Sequence, residues 1–168
     1  QEVGAFAGFD LAHAAGNVPL NLHDDEVDFA AWCSYKYMNS GPGSVSGIFV
    51  HEKHGEDKTI PRFAGWWGHD ESQRFQMKKG FIPMEGADGW QLSNVNVMSS
   101  AAHLASLSIF SEVGMEALRE KSLLLTGYLQ FLLETLNKST DRVKIITPSE
   151  SAERGCQISL LVENSGKA

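Results

Sequence analysis

The chain has 168 residues, enough for an average domain with a substantial core. An apolar fraction of 42% and a charged fraction of 21% are those of a globular protein and exclude disordered, collagen-like and fibrous classes. The formal charge of −7 argues against nucleic acid or an anionic membrane surface as partner, and no apolar run approaches the roughly 20 residues that a bilayer span needs.

The first residues, "QEVGAFAGFD", carry neither an initiator methionine nor the basic and apolar regions of a signal peptide, so the segment is expected to lie inside a longer protein. Two cysteines, Cys33 and Cys156, are too few for a disulfide framework, which favours a reducing, cytoplasmic compartment. Residues 3–9 are small and apolar and close on Asp10, predicting a buried strand with a carboxylate at its C-terminal tip. "AHAAGN" predicts a short helix stopped at Gly16. Residues 27–33 and 45–51 predict two further buried strands bounded by turn formers, and short apolar strands joined by crossovers favour an α/β sheet.

From residue 51 to about 89 the chain is irregular and carries "FAGWWGHD"; loops of that length are usually functional or inter-subunit. Residues 95–110 and 115–136 predict two helices parted at Gly114. The second places apolar side chains at 115, 118, 125, 129, 132 and 136, an ordinary core stripe. "VKIITP" and "CQISLLVE" predict strands of a separate α+β layer, with a domain boundary within 112–136.

One lysine stands out. Lys36 lies in "CSYKYMNSGPG", between two tyrosines, three residues past an apolar run and just before a glycine-rich turn. Asp10 closes another expected strand, so both side chains can open into one crevice at the sheet edge where ligands of α/β proteins sit. An amine and a partly buried carboxylate at one site suit pyridoxal phosphate: the amine joins the aldehyde, and the carboxylate keeps the pyridine nitrogen protonated so that the ring accepts electrons.

"FDLAHAAGN", "DFAAWCSYKYMNSGPG", "GWWGH" and "LSN" together resemble kynureninase, a fold-type I pyridoxal-phosphate enzyme. The resemblance extends through "EALREKSLLLTGYL" and "IITPSESAERGCQ" to cover essentially the whole chain. It implies a fold-type I (aspartate-aminotransferase-like) α/β fold. Residues 1–112 would be part of the cofactor-binding large domain, and 113–168 a linker helix and the start of an α+β small domain. The implied reaction is hydrolysis of L-kynurenine or 3-hydroxykynurenine to anthranilate or 3-hydroxyanthranilate and alanine, in tryptophan catabolism and NAD biosynthesis. The implied assembly is a homodimer whose subunits share the active site.

Carried over by position, Lys36 corresponds to the Schiff-base lysine and proton shuttle, and Tyr35 to a tyrosine that contacts the cofactor phosphate and takes part in proton transfer. Asp10 corresponds to the partner of the pyridine nitrogen and His13 to a residue of the cofactor pocket. Trp66 corresponds to a tryptophan that reaches the phosphate from the neighbouring subunit, and Asn94 to an asparagine near the substrate ring. Met38 stands where the family usually has leucine, and Trp67 where it has phenylalanine. The phosphate cup, the aromatic over the pyridine ring and the arginine for the substrate carboxylate have no counterpart here, as expected of an internal segment. Such a segment should also leave apolar patches of its sheet exposed.

Plainer readings stand beside these. Alone, Lys36 would be a snorkelling surface lysine, Asp10 a helix N-cap, His13 a satisfied histidine, Trp66 and Trp67 core aromatics, and Asn94 a cap before Val95. Cys33 reads as a small buried hydrophobe rather than a persulfide nucleophile. "HEKH" at 51–54 lacks a third ligand at workable spacing, so no metal is expected. "SGPGSVSG" precedes a strand rather than a helix, which argues against a phosphate loop. Another pyridoxal-phosphate enzyme of the class-V group, a desulfurase or aminotransferase, and a non-catalytic dimer-forming remnant are the alternatives.

Overall fold

The structure, a computed structural model, describes residues 2–140 and 142–163. The chain divides into two compact units, Gln1–Ala15 with Leu20–Ser108, and Gly16–Pro19 with Ile109–Ala168.

The first unit is built on a three-stranded sheet of Gly8–Asp10 (β1), Phe29–Cys33 (β2) and Ser46–Val50 (β3), in the order β1-β2-β3. β1 runs parallel to β2, with Asp10 opposite Ala31, and β3 runs antiparallel to β2, with Ala30 opposite Phe49. β1 is much shorter than the expected run over 3–9. Before it, the Ala7 N–H donates to the Asp28 carboxylate at 2.7 Å instead of to a neighbouring strand. No helix forms over "AHAAGN"; these residues make turns in which the Leu11 carbonyl accepts from both Ala14 and Ala15. The Asp10 carboxylate accepts from the Ala12 N–H at 2.9 Å, a capping contact, but the turn it opens does not continue into a helix.

The expected burial of the strands is met on one face only, β1 being exposed throughout, and the open face is the exposed apolar patch expected of an internal segment. One face packs: Ala30 is buried with Leu11 and Val27, and Ala14, Leu22, Trp32 and Phe49 close around them. The other face is open, with Phe29 and Ile48 about half exposed beside an apolar groove of about 360 Å³ that Ile60 and Trp90 also line.

At the far end of β2, buried Asp28 accepts from His54 at 2.7 Å and pairs with Lys53 at 2.9 Å. His51 caps the short helix Glu52–Gly55 (α1) by accepting from the Lys53 N–H, so "HEKH" works as a capping and ion-pairing element. Groups left unpaired in a partly dry setting are costly, so Asp28→Ala should lower stability by about 2–3 kcal/mol. The denaturant midpoint of the full-length protein checks this.

Val97–Val113 (α2) and Met115–Thr140 (α3) are separate helices. Gly114 divides them at φ 81, a left-handed value that glycine adopts without penalty, while its N–H closes on the Phe110 carbonyl. In the second unit Val143–Ile145 (β4) and Leu160–Val162 (β5) form an antiparallel pair. The apolar stripe of α3 is not a core: Leu125, Leu129, Leu132 and Leu136 are exposed, and the residue buried instead is Thr126. Two three-residue strands and a loop are too small to cover a helix of 26 residues. Among the described residues, no helix is long and apolar enough to cross a membrane.

Candidate functional site

Because β1 and β2 are parallel and in register at Asp10 and Ala31, their carboxyl ends open on the same edge of the sheet. β1 delivers Asp10 there, and β2 runs directly into the loop that carries Tyr35 and Lys36. The two following segments also touch. The Cys33 thiol lies 3.9 Å from the Ala12 carbonyl, and the His13 and Tyr37 rings meet edge to face at 6.4 Å. Asp10, His13, Tyr35 and Lys36 are thereby gathered at one sheet edge.

Lys36 is half-buried, and its amine lies 5.8 Å from the centre of the Tyr35 ring, which is itself half exposed. The loop that holds it is a tab with fixed roots. Ser34 is fully buried, and both its N–H and its hydroxyl donate to the Val45 carbonyl. Ser40, also buried, returns its N–H to the Ser34 carbonyl at 3.1 Å. Between them the Lys36 carbonyl accepts from Asn39, which sits at φ 56, and the Asn39 amide donates to the Tyr37 carbonyl.

The outer side of the tab rests on α2. The Ser40 hydroxyl meets His103 Nδ1 at 2.7 Å, Ser106 donates to the Met38 carbonyl, and Ser99 donates to the Gly43 carbonyl at 3.4 Å. These residues were not picked out from the sequence, although 99, 103 and 106 share a helix face. They are polar positions within an Ala/Ser/Leu-rich stretch, and a search for apolar periodicity passes over them.

Trp66 and Asn94 belong to the irregular layer. Gly65 and Gly68 let "GWWG" press on the chain at 88–92: a Cβ on Gly65 would sit 2.3 Å from the Leu92 Cα, and one on Gly68 2.8 Å from the Gln91 carbonyl. Buried Arg74 lies 4.7 Å above the Trp67 ring and 6.0 Å from Trp66, and it donates to the His69 carbonyl. Phe75 meets Trp66 edge to face at 5.5 Å, leaving Trp66 45% exposed. The Ser72 hydroxyl, which donates to Asp70, holds that carboxyl below its usual range and ties the turn after "GWWGHD".

Asn94 is exposed, and the cap of α2 is Asn96, whose side chain accepts from the Ser99 N–H. Overpacking typically costs about 1–3 kcal/mol, and here the obstacle is backbone. Gly65→Ala is therefore expected to shift the Trp66–Trp67 pair, seen as a changed tryptophan emission with the Lys36 edge undisturbed.

Among the described residues no group of three or more His, Cys, Asp or Glu is placed to hold a metal ion.

Residues 118–168 match the family model "Kynureninase C-terminal domain". The chain is 55% identical over 166 residues to a kynureninase of Flavobacterium psychrophilum, covering 98% of this chain and 39% of the relative. It is 58% identical over 159 residues to one of Stenotrophomonas maltophilia, covering 95% and 37%. The chain thus spans about two fifths of the length of the curated relatives it matches. Among solved structures it resembles the apo form of a cysteine desulfurase from Thermococcus onnurineus, with a TM-score of 0.67 and 19% identity, over 97% of this chain and 38% of that one. A cystine C-S lyase in complex with cysteine persulfide follows at TM-score 0.63 and 22% identity, over 89% and 37%. At those identities the likeness is one of fold, and the fold is the mixed α/β, fold-type I architecture expected from the sequence.

Proposed function

We propose that this chain is the cofactor-lysine segment of a kynureninase, which hydrolyses kynurenine or its 3-hydroxy form to the anthranilate and alanine. The observation that carries the reading is that Asp10 and the loop of Tyr35 and Lys36 leave one edge of the sheet, with His13 against Tyr37 of that loop, in a chain about 55% identical along its own length to segments of kynureninases. The likeness to a desulfurase is one of fold at 19% identity and does not favour the alternative chemistry.

The residues present suit pyridoxal phosphate. A half-buried primary amine stands on a pinned loop, and a carboxylate, exposed rather than partly buried as expected, ends the adjoining strand. When bound, the cofactor supplies an electron sink for the carbon next to the substrate amine. Lys36 would hold the cofactor and, once free of it, take the proton from that carbon and return it to the neighbouring position. Tyr35, half exposed beside the amine, would contact the phosphate and pass protons. Asp10 keeps one carboxylate oxygen on the Ala12 N–H, which fixes its direction while the other oxygen is available to hold a ring nitrogen protonated. His13 would close the pocket wall.

Trp66 would reach the phosphate of a second copy's cofactor, which makes the assembly a homodimer with shared sites. Its 45% exposure on a braced aromatic element supports that role. Asn94, exposed and not needed as the helix cap, would face the substrate ring. Two free cysteines agree with a cytoplasmic setting.

The test is turnover by the full-length protein. Release of anthranilate and alanine from kynurenine is expected. Sulfide from cysteine without any anthranilate would transfer the chain to the desulfurase chemistry.

A further inference from the structure

We propose that His103, acting through Ser40, is a positioning residue for Lys36. The idea rests on the reading of Lys36 as the cofactor lysine, but it arises from contacts in the first unit alone. The tab from Ser34 to Ser40 has two roots. The first belongs to the sheet, because Ser34 is bonded to Val45 at the entry to β3. The second has no strand partner: Ser40 is followed by "GPGSV", where Gly41 and Gly43 lie at φ 85 and 71 and residues 41–45 make no ladder. What fixes the second root from outside is α2, through His103 on Ser40 and Ser106 on Met38.

Proton accounting gives the direction of the bond. The Met38 carbonyl already accepts from Ser106, and it lies 3.5 Å from the Ser40 hydroxyl, against 2.7 Å for His103. The shorter contact favours the Ser40 hydroxyl as donor to His103 Nδ1, an arrangement that puts the ring proton on Nε2. Ser40 is 4% exposed, so loss of the acceptor leaves a buried hydroxyl with only the long contact to Met38. Lys36 lies between the two roots. Releasing the second root lets the amine wander without removing any group that touches cofactor or substrate.

The geometry distinguishes the two histidine nitrogens. Asparagine places an amide group near the position of Nδ1, whereas glutamine reaches toward Nε2. His103→Ala in the full-length protein is expected to lower kcat about 10- to 100-fold, the scale of a small misplacement of a reacting group, with KM little changed. His103→Asn should restore most of the loss and His103→Gln little of it.

A second readout needs no cofactor. Amide hydrogen exchange of the cofactor-free protein should quicken across residues 36–43 in His103→Ala and Ser40→Ala, with β2 unaffected, and should return toward normal in His103→Asn. Ser40→Ala, a change of one hydroxyl, stands in if the histidine variant does not fold.

Unchanged kcat and unchanged exchange in Ser40→Ala would overturn the proposal, as would equal rescue by asparagine and glutamine. Exchange that responds as described in a protein without kynurenine turnover would leave the positioning intact and count against the kynureninase reading alone.

Discussion

Lys36→Ala in the full-length protein should abolish kynurenine hydrolysis for practical purposes, a fall of roughly 10⁴-fold, at the upper end of what a positioned acid–base group contributes. The fold should not suffer. The tab is held by backbone groups and serines, and the Lys36 contribution to it is its carbonyl, which the substitution leaves in place. Lys36→Arg keeps the charge but should fail equally, because a guanidinium does not lose its proton near neutral pH and so cannot serve as the base. Steady-state release of anthranilate, alongside melting curves that overlay the parent, checks both variants.

Asp10→Asn carries the second-largest effect, about 10²–10³-fold in kcat, the scale seen when one electrostatic partner of a developing charge is removed. Asparagine keeps a side-chain oxygen that can accept from the Ala12 N–H, so the turn at the tip of β1 survives while the negative charge is lost. Asp10→Ala removes both. If Asp10 acts mainly as a turn former, alanine should harm the protein far more than asparagine. If it acts on the cofactor ring, the two should be similarly inactive. Parallel measurement of kcat and melting temperature for the pair separates those cases.

The placement of these two residues at one sheet edge was legible in the sequence, while the roles proposed for them rest on the family resemblance. A carboxylate and a lysine, each just past an apolar run, need only the strand to be placed within a residue or two. The sheet supplied the rest, since parallel pairing of β1 and β2 brings both tips to one edge.

The supports of the site were not legible. His103 and Ser106 act on Ser40 and on a backbone carbonyl more than 60 residues away, and nothing in local pattern announces a polar face chosen to meet carbonyl groups. The α3 stripe failed differently. The apolar spacing identified a helix correctly, but spacing does not say what covers a face, and here Leu125 and Leu132 lie exposed while Thr126 is buried. At "AHAAGN" the Asp10 cap opens a turn that stops short of a helix, with Gly16 in the left-handed region at φ 79. At β1 a buried carboxylate, Asp28, took the N–H that a longer strand would have used.

The most direct test of the role given to Lys36 is chemical trapping. The full-length protein, loaded with pyridoxal phosphate and reduced with borohydride, should carry one cofactor per chain, and peptide mapping should place it on Lys36 within the stretch that runs from Cys33 into "GPG". Attachment at a different lysine, or undiminished trapping in Lys36→Ala, would contradict the assignment.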